Sequence, residues 1–359
     1  MKEKRNGIIS LWKFLFAIVI AFFHGNQFYD DTRNPFFYGG YIAVEFFFIV
    51  SGFYLAKKSL NEEYSKEKLP SETISYILKK IKSIFPYIFL AFIGSIILKI
   101  SISNQIKPNE IINSIWNLLL LREFGFRSIL ILPQLWYLSA MFICLFIMYP
   151  ILKKYKEKFA LLISPLIVIF GLGYLNYNWL GLDHAYQIWS IFTKTGIIRG
   201  FIEINIGAII YVIHRNLSNI EYTKIGKIFL TILGESLLIC VLVIINYIDS
   251  PKHYDYIMLL FISLAILILT SEKTYDYNIL SNRLFYYLEK ISMPIFINHV
   301  FIINIIDYIY TLSNITPINQ SILSVAVSIF VSVIELKVIS LINQKNIMAK
   351  TLRIFIKKI

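Results

Sequence analysis

From end to end the chain repeats one pattern: an apolar run of roughly 17–25 residues followed by a short, usually basic loop. As a helix, a run of that length matches the hydrocarbon core of a bilayer, about 30 Å thick. Inside lipid every backbone N–H and C=O needs a partner within the protein, so only helices and closed barrels cross. Uninterrupted runs without period-two alternation are helices. Ten are expected, over residues 7–26, 37–56, 81–101, 133–152, 158–178, 196–214, 225–247, 254–271, 291–311 and 319–343. The stretch 109–121 is too short to cross and reads as an interfacial or re-entrant helix. The expected fold is an all-α polytopic membrane bundle forming one domain over 1–359.

Composition agrees. Hydrophobic residues make up 57% of the 359 and charged ones only 16%, which excludes an ordinary soluble domain. The first run is too long for a cleaved signal peptide, and no small-residue cleavage site follows it. Two cysteines, Cys144 and Cys240, both within apolar runs, provide neither a disulfide framework nor a metal site. The net charge of +13 comes from lysines in short loops and does not indicate a nucleic-acid partner. With the N-terminus placed in the cytoplasm, and lysines at the ends of runs, Lys82 and Lys99 among them, counted with the segments they adjoin, 25 of the 35 lysines and arginines fall in cytoplasmic segments and seven in outer loops. That bias predicts both termini inside.

Ionisable residues inside the runs are costly and mark protein interiors or wet cavities. Lys13 and His24 are eleven residues apart on the first run, three helical turns plus about 20°. They share one stripe, roughly 16 Å apart along the axis, with Lys13 toward the cytoplasm and His24 toward the outside. Glu45 is expected near mid-membrane on the second run. Arg199 and Glu203 are spaced as an i, i+4 ion pair on the sixth, and His299 falls near the middle of the ninth. Ser51-Gly52 fits a close helix–helix approach better than a nucleophile.

In order along the chain, these residues resemble the acyltransferase-3 family of integral membrane acyltransferases, over about residues 7–311. The family opens with an Arg and a His eleven positions later, here Lys13 and His24. Its second span resembles Gly40 through Phe53, including Val44-Glu45, Phe47-Phe48 and Ser51-Gly52-Phe53. Lys79-Lys80-Ile-Lys82-Ser-Ile-Phe-Pro86 is similar to the basic run opening its third span. Leu135-Trp136-Tyr137-Leu138-Ser139 resembles its Trp-x-Leu-Ser motif, Arg199-Gly-Phe with Gly207 its Arg-x-x-x-Phe-x-x-Gly stretch, and Ser292 through His299 its closing histidine motif. Two departures stand out. Lys13 replaces an Arg and so acts as a point charge without a fork, and Pro294 and Phe296 stand where tyrosines are common.

The resemblance implies an O-acyltransferase, most simply an O-acetyltransferase. It would move an acyl group from cytoplasmic acetyl-CoA or another acyl-CoA, a co-substrate rather than a bound cofactor, to a hydroxyl of a cell-surface or lipid-linked glycan. The location implied is a bacterial cytoplasmic membrane, and a homo-oligomer is compatible with it. His24 would be the general base, because an imidazole can take and return a proton near neutral pH, and Glu45 would orient it. Lys13, Lys79, Lys80 and Lys82, with Lys57 and Lys58 nearby, would hold the donor phosphates. Trp136, Arg199 and His299 would contact substrate. A secondary transporter or flippase for a glycan or small molecule is the alternative, against which stands the lack of an inverted repeat.

Overall fold

The computed structural model describes residues 6–28, 36–103, 108–126, 131–190, 193–247, 253–271, 274–275, 280, 282–310 and 316–356. Parts of the charge count, among them residues 1–5 and Arg33, lie outside the described residues. Helices dominate: α1 (Gly7–His24), α2 (Ala43–Asn61), α3 (Leu69–Ser103), α4 (Pro108–Leu118), α5 (Leu135–Lys158), α6 (Ser164–Trp179), α7 (Thr195–Leu217), α8 (Lys224–Tyr247), α9 (Tyr254–Leu269), α10 (Arg283–Tyr310) and α11 (Pro317–Ile356). One small antiparallel pair, β1 (Ile188–Ser190) with β2 (Thr193–Lys194), lies in the loop before α7.

Eight helical stretches among the described residues are long and apolar enough to cross a membrane. One of them, Leu135–Trp179, has 45 residues, about 68 Å if straight and so twice a bilayer core. It breaks at Lys156, whose backbone leaves the helical region at φ 53°, ψ −137°, and a π-turn over Phe159–Ile163 follows. Trp136, at the start of α5, and Asp183, just after α6, both lie beside Arg199, so the chain crosses and returns. The Lys156 side chain caps the end of α2 by donating to the carbonyls of Ser59, at 2.9 Å, and Leu60, at 3.2 Å. With this stretch counted as two crossings and the shorter α9 added, ten apolar segments emerge where ten were expected. The expected interfacial segment is α4, an 11-residue helix.

Local chemistry sets the ends. The Asn6 side chain accepts from the N–H of Ile9 and caps α1, while its amide donates to the Leu269 carbonyl and ties α1 to the end of α9. The closest packing is between α2 and α7. A Cβ on Gly52 would overlap the Ile204 backbone, and one on Gly207 would lie 2.6 Å from the Phe53 nitrogen. The two glycines let the helix backbones touch, as small residues do between membrane helices. α1 packs along α10. Lys13 pairs with Glu289 toward one end and His24 meets His299 toward the other, so the two helices run parallel.

Candidate active site

The site occupies the end of the bundle where α1 finishes. His24 is the last residue of α1 and is half-buried. Its ring lies 4.9 Å from that of His299, centroid to centroid. His299 is fully buried, and its Nδ1 lies 3.3 Å from the Ile295 carbonyl of the preceding turn. A carbonyl only accepts, so Nδ1 carries the proton and Nε2 the lone pair. Nε2 has no hydrogen-bond partner among the described residues. Gln134, just before α5, donates to the Ile297 carbonyl at 2.6 Å, and Asn298 donates to Glu335 on α11 at 2.6 Å. These contacts fix the turn of α10 that carries His299. Phe296 and Phe23 stand beside the two imidazoles.

Glu45 lies elsewhere than expected. α2 begins at Ala43 after a 3-10 turn over Gly40–Ile42, which puts Glu45 in its first turn, toward the histidine end rather than at mid-span. Its carboxylate pairs with the Arg199 guanidinium, and it is this cation, rather than an imidazole, that it orients. The Arg199 Nε reaches Glu203 at 3.4 Å, which adds the expected i, i+4 pair. All three side chains are buried; the Glu45 and Glu203 carboxyls lie within hydrogen-bonding reach of each other, and Arg199 Nη1 has no partner among the described residues. The guanidinium lies 5.1 Å from the centre of the Trp136 ring, so Trp136 covers this cluster. The cluster continues to Tyr41, whose hydroxyl donates to Asp255 at 3.0 Å, and Asp255 also accepts from the Leu182 N–H at 2.8 Å.

The basic residues gather at the other end. A cavity of about 1020 Å³ opens between the end of α2, the start of α3 and the end of α5. Lys79 and Lys80 line it, together with Lys58, Lys68 and Lys153. Within it Lys153 pairs with Glu72 at 2.6 Å and Glu62 at 3.2 Å, and Tyr149 donates to Glu62 at 2.8 Å. Burial opposes the charge of Glu62, yet hydrogen bonds from Lys58, Tyr149 and Lys153 hold its carboxyl at about 2. Tyr149 stacks on Tyr76 at 4.7 Å.

Two of the expected donor lysines fall outside this lining. Lys82 is exposed on α3. Lys13 sits behind the cavity, paired with Glu289 at 2.6 Å and 5.3 Å from the Tyr54 ring centre. It is close enough to Lys80 for the two charges to repel. Lys57 is outside the lining as well, and Lys58 is within it.

Sequence reasoning missed three acids. Glu289 falls just before the expected ninth span and counted as loop, but α10 begins at Arg283 and takes it into the bundle. Asp255 sits at a span end, where a carboxylate is unremarkable. Glu123, in the loop after α4, is fully buried, and neither carboxylate oxygen has a partner among the described residues. No periodicity could have revealed it.

No curated protein and no solved structure matches the chain. A family model described as an acyltransferase domain matches residues 6–335, nearly the whole length and somewhat beyond the motifs. With that match over most of its length, the chain belongs to the acyltransferase-3 family and is a membrane acyltransferase.

Proposed function

We propose that the protein is an O-acyltransferase, most simply an O-acetyltransferase, that carries an acyl group from acyl-CoA to a hydroxyl of a cell-surface or lipid-linked glycan. One observation carries this reading. The His24–His299 pair and the lysine-lined cavity lie toward opposite ends of the parallel helices α1 and α10. Ten to eleven residues separate the histidines from Lys13 and Glu289, about 15 Å along the helices. A donor with anionic phosphates at one end and a thioester on a long arm at the other suits that arrangement. The charge bias supports a cytoplasmic cavity and histidines toward the outer side, and the membrane in this reading is a bacterial cytoplasmic membrane.

In the reaction, His24 accepts the proton of the acceptor hydroxyl as its oxygen attacks the thioester carbonyl. The C–S bond then breaks, and the departing thiolate takes the proton back from the imidazolium, leaving the O-acyl ester and free CoA. His299, protonated on Nδ1, offers its Nε2 lone pair to the imidazolium and holds the proton on the pair. The resemblance implied this orienting role for Glu45. Glu45, Arg199 and Glu203 are instead a buried electrostatic strut beneath Trp136. Lys79, Lys80 and Lys68 receive the phosphates, while Lys153 and Lys58 are neutralised by Glu62 and Glu72.

The test is thiol release from acetyl-CoA by purified protein reconstituted in lipid, with and without a glycan acceptor. Release should require the acceptor. Lys79→Ala with Lys80→Ala should raise the KM for acetyl-CoA and leave kcat nearly unchanged, as loss of uniform binding does. Glycan translocation in proteoliposomes without thiol release would instead identify a transporter.

A further inference from the structure

Two cations at the histidine end of the bundle have no acid paired with them. Arg122 lies in the 3-10 turn Arg122–Phe124 that precedes α5, and it is only 1% exposed. Its Nη1 donates to the Pro133 carbonyl at 2.6 Å, and its Nε has no partner among the described residues. The Tyr186 ring centre stands 5.0 Å from the guanidinium. Lys194 ends β2, which packs against the same turn, and is half-buried. Among the described residues neither cation makes an ion pair. The two are close enough to repel each other. Glu123 lies near both without bonding to either, and burial raises its carboxyl to about 7. It is therefore no full counter-ion at neutral pH.

Resting on the O-acyltransferase reading, we propose that Arg122 and Lys194 receive an anionic group, a carboxylate or a phosphate, on the acceptor glycan, so that the enzyme selects an acidic acceptor. A fully buried charge normally has a partner, because an unpaired one is strongly destabilising. Arg122 has a neutral carbonyl and an aromatic ring. Its planar fork matches a carboxylate or a phosphate. An anion set between Arg122 and Lys194 replaces their repulsion with attraction, whereas a neutral sugar leaves both charges as they are.

Position ties the two cations to the chemistry. Pro133, which accepts from Arg122, precedes Gln134, whose side chain donates to the Ile297 carbonyl two residues before His299. Tyr186 and Lys194 come from the loop between α6 and α7. The Thr195 N–H donates to the Gln187 carbonyl at 3.0 Å and the Gly196 N–H to the Ala185 carbonyl at 3.1 Å, which clamps that loop onto the start of α7. Tyr186 is exposed, so an arriving glycan meets its ring and Lys194 before it reaches Arg122. The donor phosphates belong at the lysine-lined cavity near the opposite end, so an anion at this end is the acceptor's.

The test applies the whole protein, in phosphatidylcholine nanodiscs, to a glycan array. The array pairs oligosaccharides bearing uronic-acid carboxylates or phosphates with the same chains after carboxyl reduction or phosphate removal. Wild type should be retained on acidic members and about ten-fold less on their neutral counterparts. Lys194→Gln should weaken that retention about ten-fold, the usual effect of losing a hydrogen bond to a charged group. Lys194→Arg should keep it, and Arg122→Gln should lose it. Lys224→Gln, the same charge loss at the start of α8 and the other end of the bundle, should match wild type. The proposal is overturned if no acidic member is retained, if acidic and neutral members are retained equally, if Lys194→Gln binds as wild type does, or if Lys224→Gln loses as much. Displacement by inorganic phosphate at the glycan's own concentration would overturn it in favour of a free-anion site. Retention needs no acetyl-CoA, so it can fail while acceptor-dependent thiol release stands, and the reverse.

Discussion

Glu123 should make the protein less stable as pH rises toward neutrality. The residue lies in a 3-10 turn over Arg122–Phe124, with its N–H donating to the Ser139 hydroxyl at 3.1 Å. Its side chain is fully buried, and neither carboxylate oxygen has a partner among the described residues. Oε2 points at Gly196, where a Cβ would approach to 2.6 Å. Burial raises its carboxyl from 4.5 to about 7, with Lys194 and Arg122 pulling weakly the other way. Below pH 4.5 both the folded and the unfolded chain hold the proton, and stability is at its full value. Between 4.5 and 7 the unfolded chain has released the proton and the folded chain retains it, so each step up in pH favours unfolding. Above 7 both are ionised and the loss levels off. A shift of that size corresponds to about 3 kcal/mol across the window. Glu123→Gln keeps the shape and removes the titration. Thermal unfolding in detergent from pH 4.5 to 8 should show the wild type falling relative to Glu123→Gln by that amount and then running parallel to it. Parallel curves throughout would mean that Glu123 has a partner or meets solvent.

Further substitutions probe the frame. Gly207→Ala forces a Cβ onto the Phe53 backbone and should cost about 1–3 kcal/mol by overpacking, whereas Gly173→Ala, with nothing near its Cβ, should leave the unfolding temperature unchanged. Arg199→Met strands Glu45 and Glu203 without their cation and should cost about 3–5 kcal/mol in the same assay. Adding Glu45→Gln and Glu203→Gln should recover most of that loss.

Much of the fold was legible because lipid leaves the backbone few options. Run length alone placed α1, α7, α8 and α9 to within a few residues. It understated α3 and α10, whose ends continue beyond the apolar run through mixed segments stabilised by packing and ion pairs such as Lys13–Glu289. The spacing of Lys13 and His24 correctly put them on one stripe, but spacing within one helix says nothing of what stands opposite. His299 and Glu289 meet that stripe because α10 packs parallel to α1, a tertiary fact. The carboxylate of Glu45 was visible, and its partner was misread for the same reason: the nearest cation in space, Arg199, comes from a helix more than 150 residues later. Glu123 and the cations beside it depend on how loops and helix ends fold over one another, which no local pattern encodes.

The account rests on His24 and His299 acting as one acid–base unit, and a double-mutant cycle on acceptor-dependent thiol release tests it most directly. His24→Ala should lower kcat by about 10²–10⁴, the usual cost of losing a general base. His299→Ala should lower it as well, and the double variant should be no slower than His24→Ala alone, because residues that work as a unit are lost together. Wild-type turnover in His24→Ala at normal expression and folding, or losses that simply multiply in the double variant, would contradict the account.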